Sequence, residues 1–322
     1  MDNETYLKFK RKWLNYLLLL IGVALLIALM YNIGFSDIKE SLFKAHLDFV
    51  ILAALILGVL HFFRAIRWHL FLNKLKLLPS SKLYFIGQAI NEIAPTGSGE
   101  LVKILIAKKR YNISRSTTLI ATAMERFLDV VYLLIFALMG LFVLKGQIGV
   151  FEMMLPTLLI LILILLVGFI LFKPSVVGHI RKILLKFKNK VVVMLAEVAG
   201  SLETSLFNFH LENKRGLIAG VILTVVTWLL DGLTHFCLIR AFGYQVELLY
   251  IYVIVAVAWL LGTFSFLPGG LGVREGTYVY LLETQSIPPP IGASVILIQR
   301  FLLYSYFYTG ALVSLASYKI KS

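Results

Sequence analysis

The sequence predicts an all-α integral membrane protein: six spanning helices plus two re-entrant helical hairpins arranged as an inverted repeat. Three observations carry that reading. Of 322 residues, 60% are hydrophobic and 15% charged, with a mean hydropathy of +0.89. A soluble domain runs about one-quarter charged and has no way to hide so much apolar surface. Six runs reach the roughly 20 apolar residues that a hydrocarbon core of about 30 Å requires. Two further apolar runs are broken in the middle by Pro and Gly.

The first run, 13–33, follows Lys8, Lys10, Arg11 and Lys12 in the manner of a signal peptide. It is long, and no small-residue cleavage site follows Met30, so it reads as a retained span. The other full-length runs are 50–71, 116–144, 150–172, 215–240 and 290–317. The broken runs are 83–110, interrupted by IAPTGSGE at 93–100, and 249–283, interrupted by FLPGGLGVREG at 266–276. A break facing lipid would leave backbone N–H and C=O groups unpaired at several kcal/mol each. Each is therefore expected to enter and leave on one side, buried against protein or a wet cavity. Pro95, Gly97 and Gly99 serve as hinges in the first hairpin, and Pro268, Gly270 and Gly272 in the second.

The formal net charge of +14 suits cytoplasmic loops and anionic lipid better than nucleic acid. With the N-terminus inside, the inner segments hold four cations before residue 13, three over 72–82, five over 103–116, eight over 173–215 and two at the C-terminus. The outer loops hold Lys39, Lys44 and Lys145. This asymmetry puts both termini in the cytoplasm of a cell (plasma) membrane protein. It requires the hairpins to be both non-crossing or both crossing. The basic stretch 173–214 is too apolar to be disordered, and VVVMLAEVAGSLETSLF suggests amphipathic helices on the inner leaflet. A connector simply attracted by anionic lipid is the plainer alternative.

Shifting the chain by 173 residues places Phe63, Ile66 and Arg67 on Phe236, Ile239 and Arg240, and Pro95, Gly97 and Gly99 on Pro268, Gly270 and Gly272. With one inserted residue, Arg126 meets Arg300, each followed by Phe-Leu. The chain then reads as one polytopic domain, 1–322, with repeat units at about 50–144 and 215–317. The extra span 150–172 reverses the second unit. Inverted repeats with broken helices at matching places point to a transporter whose site lies near the midplane.

Ionisable groups inside spans cost at least about 2.5–3.5 kcal/mol each, so they normally face an interior. Glu125 and Asp129 share a helical face with Thr118 and Thr122, and Arg126 is adjacent. Thr227, Asp231 and His235 share another face, and Glu92, Glu100, Lys103, Arg274 and Glu275 flank the hairpin tips. These residues and Arg300 suggest a chamber for an anionic headgroup, because guanidinium donates two parallel hydrogen bonds to phosphate. Two plainer alternatives remain: Glu125, Arg126 and Asp129 pair among themselves for packing, and Arg64 and Arg67 snorkel to the inner boundary. The histidines carry no metal-site spacing, the single Cys237 excludes a disulfide or thiolate cluster, and the glycines form neither GxGxxG nor a P-loop. No cofactor, metal or nucleic-acid partner is expected.

NEIAPTGSGELVK (91–103), ATAMERFLDVV (121–131) and FLPGGLGVREGTYVYLL (266–282) resemble the membrane region of the lysylphosphatidylglycerol synthase/flippase family. The matching positions are Pro95, Gly99 and Glu100, then Glu125, Arg126 and Asp129, then Pro268 through Gly276. Thr96, Gly97 and Ser98 stand where that family often has Ala-Arg-Ala. The resemblance implies a membrane fold that moves phospholipids or lipid-linked molecules between leaflets. In well-known members a separate C-terminal domain transfers lysine to phosphatidylglycerol. With the sequence closing at Ser322, that domain is not expected here.

The expected function is translocation of an anionic phospholipid or polyprenyl-phosphate-linked lipid. The expected substrate-binding residues are Arg126, Arg274, Arg300, Glu125, Asp129, Asp231, Glu100 and Glu275. Three alternatives stay open. They are a membrane-embedded lipid-modifying enzyme (a phosphatidylglycerol lysyltransferase type or a lipid-linked-sugar enzyme), an accessory subunit or scaffold for a separate lipid-modifying enzyme, and a small-anion or ion carrier. No catalytic residue is nominated.

Overall fold

The computed structural model describes residues 3–95, 97–143, 162–164, 168, 173–186 and 190–319. Among these there is no β-strand. The helices are α1 (Asn3–Ile33), α2 (Phe35–Phe43), α3 (Leu47–Leu72), α4 (Leu77–Ile93), α5 (Ser98–Tyr111) and α6 (Arg115–Val143). They continue with α7 (Pro174–Leu184), α8 (Lys190–Glu212), α9 (Lys214–Arg240), α10 (Leu248–Phe264), α11 (Val273–Glu283) and α12 (Pro289–Lys319).

Four described helices are long and apolar enough to cross a membrane: Tyr16–Ile33, Leu47–Leu72, Lys214–Arg240 and Pro289–Ser317. Leu20, Tyr31, Ile51, Leu55, Ile218, Ile222, Phe301 and Leu312 project outward from them, the apolar exterior that lipid as solvent selects. The expected span over 116–144 falls on α6. The span expected over 150–172 lies outside the described residues except 162–164 and 168, which are helical. Helix lengths run twice through one order: 26, 17, 14 and 29 residues in α3–α6, then 27, 17, 11 and 31 in α9–α12.

The chain forms two compact units. The first comprises Met1–Phe62, Phe85–Leu101 and Thr227–Ser322, and the second Phe63–Tyr84 and Val102–Val226. Both Pro-Gly breaks belong to the first unit. In the first break the chain turns back so tightly that a Cβ on Gly99 would fall on the carbonyl oxygen of Gly87. Asn91 fixes that turn by accepting from the Gly99 N–H (2.8 Å) and donating to Glu100 (3.2 Å), which caps the start of α5.

In the second break Pro268–Gly270 forms a single 3₁₀ turn. Gly270 has φ +67° and lies against the backbone of Gly262, so both its conformation and its neighbour exclude a side chain. Helix α1 covers this break, because Gly22 leaves room for Leu271. In this unit Ile38, Val279 and Ala293 pack together, with Ser294 donating to the Ile38 carbonyl at 3.4 Å.

In the second unit, Asn213 donates to the carbonyls of Leu70 (2.8 Å) and Phe71 (3.2 Å), capping the end of α3. The stretch predicted as amphipathic helices is α7 and α8. They pack on α6 through Ile120, Val177, Ala199 and Leu206, and Ser205 donates to Ser116 at 3.1 Å. Ile180, Ile183, Leu195, Val198 and Phe207 remain exposed on that pair.

Candidate functional site

Two clusters of buried charge form, one in each unit. In the second unit, α3 supplies Arg67, 1% exposed, and α6 supplies two acceptors one helical turn apart. Arg67 grips Asp129 with both terminal nitrogens (2.7 and 3.0 Å) and also donates to Glu125 (3.2 Å) and Thr224 (2.9 Å). The other oxygen of Glu125 accepts from Lys103 at 3.4 Å, and that ammonium lies 5.1 Å from the centre of the Trp68 ring. Trp68 in turn donates to Thr122 at 3.4 Å.

The plainer reading that Arg67 snorkels to the boundary is therefore overturned. Snorkelling wins when a long side chain has no acceptor inside; here two carboxylates wait within its reach. The internal pairing of Glu125 and Asp129 is made with Arg67, which precedes them by about sixty residues. Arg126, next in sequence to Glu125, is rotated roughly 100° around α6. It lies half-buried in an apolar groove of about 660 Å³, beside Leu119, Ala123, Phe127, Leu163 and Leu206.

In the first unit, the matching role falls to Arg300 of α12, 4% exposed. Its Nε donates to Glu275, Nη1 to Glu92 (3.4 Å) and Tyr304 (2.9 Å), and Nη2 to the Gly269 carbonyl (2.8 Å). Glu92 belongs to α4, three residues before Pro95, whereas Gly269 and Glu275 belong to the second break and its following helix. One guanidinium thus receives groups from both Pro-Gly breaks. Contact between the breaks is direct as well, since a Cβ on Gly269 would meet the Glu92 carboxylate. The second oxygen of Glu275 accepts the Gly272 N–H at 2.7 Å and starts α11.

One residue earlier, Arg274 is 2% exposed and donates through Nη2 to Gln299 at 3.1 Å. Its guanidinium lies 3.8 Å from the centre of the Trp259 ring, which packs edge-on against Trp228. No carboxylate comes within ion-pair distance of it among the described residues. His235 meets the Tyr278 hydroxyl at 2.9 Å, and Asp231, one turn before His235, is 2% exposed.

Of the eight predicted binding residues, the first unit holds Arg274, Arg300, Glu275, Asp231 and Glu100. The second holds Arg126, Glu125 and Asp129. The hinge residues Pro95, Gly97, Gly99, Pro268, Gly270 and Gly272 all lie in the first unit. Sequence reasoning missed Trp259, Tyr304 and Tyr278. Only Tyr304 had a local signal, its i+4 spacing from Arg300. Among the described residues no His, Cys, Asp and Glu cluster has the arrangement of a metal site.

The profile of the family described as "Lysylphosphatidylglycerol synthase TM region" matches residues 15–311. A UPF0104 membrane protein of Methanothermobacter thermautotrophicus is 23% identical over 306 residues, covering 89% of this chain and 90% of that protein. Another, from Methanocaldococcus jannaschii, is 24% identical over 308 residues, again with 89% and 90% covered. A third, from Pyrococcus horikoshii, is 24% identical over 314 residues, with 90% and 93% covered. Breaks, buried charges and matched length agree on one conclusion: this helical membrane protein belongs to the lysylphosphatidylglycerol synthase transmembrane-region family.

Proposed function

We propose that the protein moves an anionic phospholipid, or a polyprenyl-phosphate-linked lipid, between the leaflets of a plasma membrane. In this reading α4–α5 and α10–α11 are re-entrant hairpins that enter from opposite faces, within repeat units of inverted topology. The headgroup crosses through a polar chamber near the midplane while acyl chains stay in the bilayer. Both termini lie in the cytoplasm, as the cation asymmetry supports. Membrane lipids are the partners, with no nucleic acid.

The observation that carries the reading is the meeting of both breaks on Arg300. Broken helices expose backbone that a membrane tolerates only beside protein or a cavity, and transporters place such breaks at their sites. Guanidinium is the side chain best matched to phosphate oxygens, and two buried arginines, Arg274 and Arg300, lie at the second break and beside it. A phosphate bound there biases one arrangement of the hairpins over another, because a ligand shifts a conformational equilibrium only through its differential affinity.

The test is transbilayer movement of a fluorescent phosphatidylglycerol analogue in proteoliposomes, read by an impermeant quencher. Wild-type protein accelerates movement over protein-free liposomes, and Arg300→Ala abolishes the acceleration. Movement equal to that of empty liposomes, or full activity in the Arg300→Ala variant, sinks the reading.

A further inference from the structure

We propose that Arg274, Gln299 and Trp259 form the seat for the phosphate group of the ligand, and that Arg300 positions the hairpins without holding it. The inference rests on the translocation reading and narrows it to one set of atoms.

Most of the buried guanidinium donors are already engaged. Arg300 uses all three of its nitrogens on Glu275, Glu92, Tyr304 and the Gly269 carbonyl. Arg67 spends both terminal nitrogens on Glu125 and Asp129. A ligand at either place has to displace carboxylates from a buried arginine, which exposes uncompensated charge. Arg274 is different. Its Nη1, the Gln299 Nε2 and the Trp259 Nε1 are all buried, and none has a hydrogen-bond partner. All three are donors, and they belong to residues that already touch through Arg274. Buried polar atoms are almost always satisfied, so three adjacent unpaired donors call for an acceptor-rich ligand. A phosphate mono- or diester supplies two or more oxygens with charge.

The aromatic face explains how Arg274 is tolerated without a carboxylate against it. Trp259 is half-buried and its ring lies against a fully buried guanidinium, so a cation–π contact takes the place of a counter-ion. That contact is weaker than a carboxylate clasp and is therefore exchangeable. Arg300, Glu275, Asp231 and Glu92 lie within electrostatic range of Arg274.

The test uses purified full-length protein in detergent and calorimetric titration with three probes: dioctanoyl phosphatidylglycerol, inorganic phosphate and dioctanoylglycerol. The phosphatidylglycerol binds and the dioctanoylglycerol, which lacks phosphate, does not. Inorganic phosphate binding with the same variant pattern identifies a seat open to free phosphate. Its failure to bind, beside lipid that does, assigns the seat to a headgroup. Trp259→Phe keeps the ring and loses the N–H, and weakens binding about tenfold, the equivalent of one charged hydrogen bond. Arg274→Lys, which lacks the planar fork, weakens it further, and Arg274→Gln abolishes it.

Equal binding of phosphatidylglycerol and dioctanoylglycerol overturns the seat, as does wild-type affinity in both Trp259→Phe and Arg274→Lys. If Arg274→Gln does not fold, Trp259→Phe decides alone. Running the proteoliposome assay in parallel separates the two claims. Specific binding without lipid movement sinks translocation and leaves the seat. Full-rate movement in Trp259→Phe and Arg274→Lys sinks the seat and leaves translocation.

Discussion

The two buried charge clusters are built from the same parts and differ in how completely they are used. In the second unit, Arg67 and Lys103 meet Glu125 and Asp129, and every carboxylate has a cation against it. In the first unit, Arg300 is clasped as tightly, yet its neighbour Arg274 rests on an aromatic ring and keeps unpaired donors. Saturation is what a structural cluster needs, since a buried charge left alone costs several kcal/mol. Incomplete saturation is a cost that a protein retains where a ligand completes the set.

Cutting the saturated cluster has the largest effect. Arg67→Ala removes the guanidinium that clasps Asp129, leaves Glu125 with Lys103 alone, and lowers stability by about 3–5 kcal/mol, read as thermal unfolding in detergent. Adding Asp129→Asn to it recovers part of that loss, because it neutralises the carboxylate that lost its clasp while Glu125 keeps Lys103. Failure to recover any stability contradicts the structural role.

Next in size is the first hairpin's turn. Gly99→Ala forces a methyl group onto the Gly87 carbonyl and costs about 1–3 kcal/mol, whereas Gly276→Ala, where a Cβ meets nothing, is stabilising by a few tenths to about 1 kcal/mol. Similar melting temperatures for the two would mean that α4 and α5 do not approach as described.

Smaller still is the effect of Arg274→Met, which keeps the volume and removes a buried cation with no carboxylate clasp. Its melting temperature stays level or rises, while Arg300→Met lowers it. Equal losses at the two sites would erase the distinction on which the phosphate seat depends. At the far end of the scale stands Glu40. Lys44 donates to its carboxylate at 2.6 Å and holds its pKa below the usual carboxylate value. The depressed pKa makes its contribution present at neutral pH and lost as pH falls through the folded-state value. Because both side chains are exposed, Lys44→Ala leaves the melting temperature between pH 7 and acid unchanged within error.

Much of this was legible in the sequence because lipid imposes coarse constraints. Long apolar runs marked α1, α3, α9 and α12, and the Pro-Gly interruptions marked both turns. Arg274, Glu275 and Arg300 stood out because charge inside an apolar run has few places to go. Pairing was not legible, since nothing local to Glu125 announces a partner on α3. For the same reason Trp259, fifteen residues before Arg274, carried no signal. The repeat alignment also says less than it promises about chemistry. Arg126 aligns with Arg300, yet Arg126 borders an apolar groove with Asp129 in electrostatic range, whereas Glu275 and Glu92 clasp Arg300 directly; Arg67 aligns with Arg240, which lies half-buried 5.2 Å from the Phe236 ring. Matching backbone positions does not conserve what surrounds them.

Glu275 joins two events that are usually separate. One oxygen pins the first turn of α11 through the Gly272 N–H, and the other holds Arg300. Arg300 cannot retreat without tugging on the carboxylate that keeps that turn wound, and the turn cannot fray without loosening Arg300. A single side chain so placed works like the sear in a latch, making the electrostatics of the junction and the winding of its backbone one and the same movement.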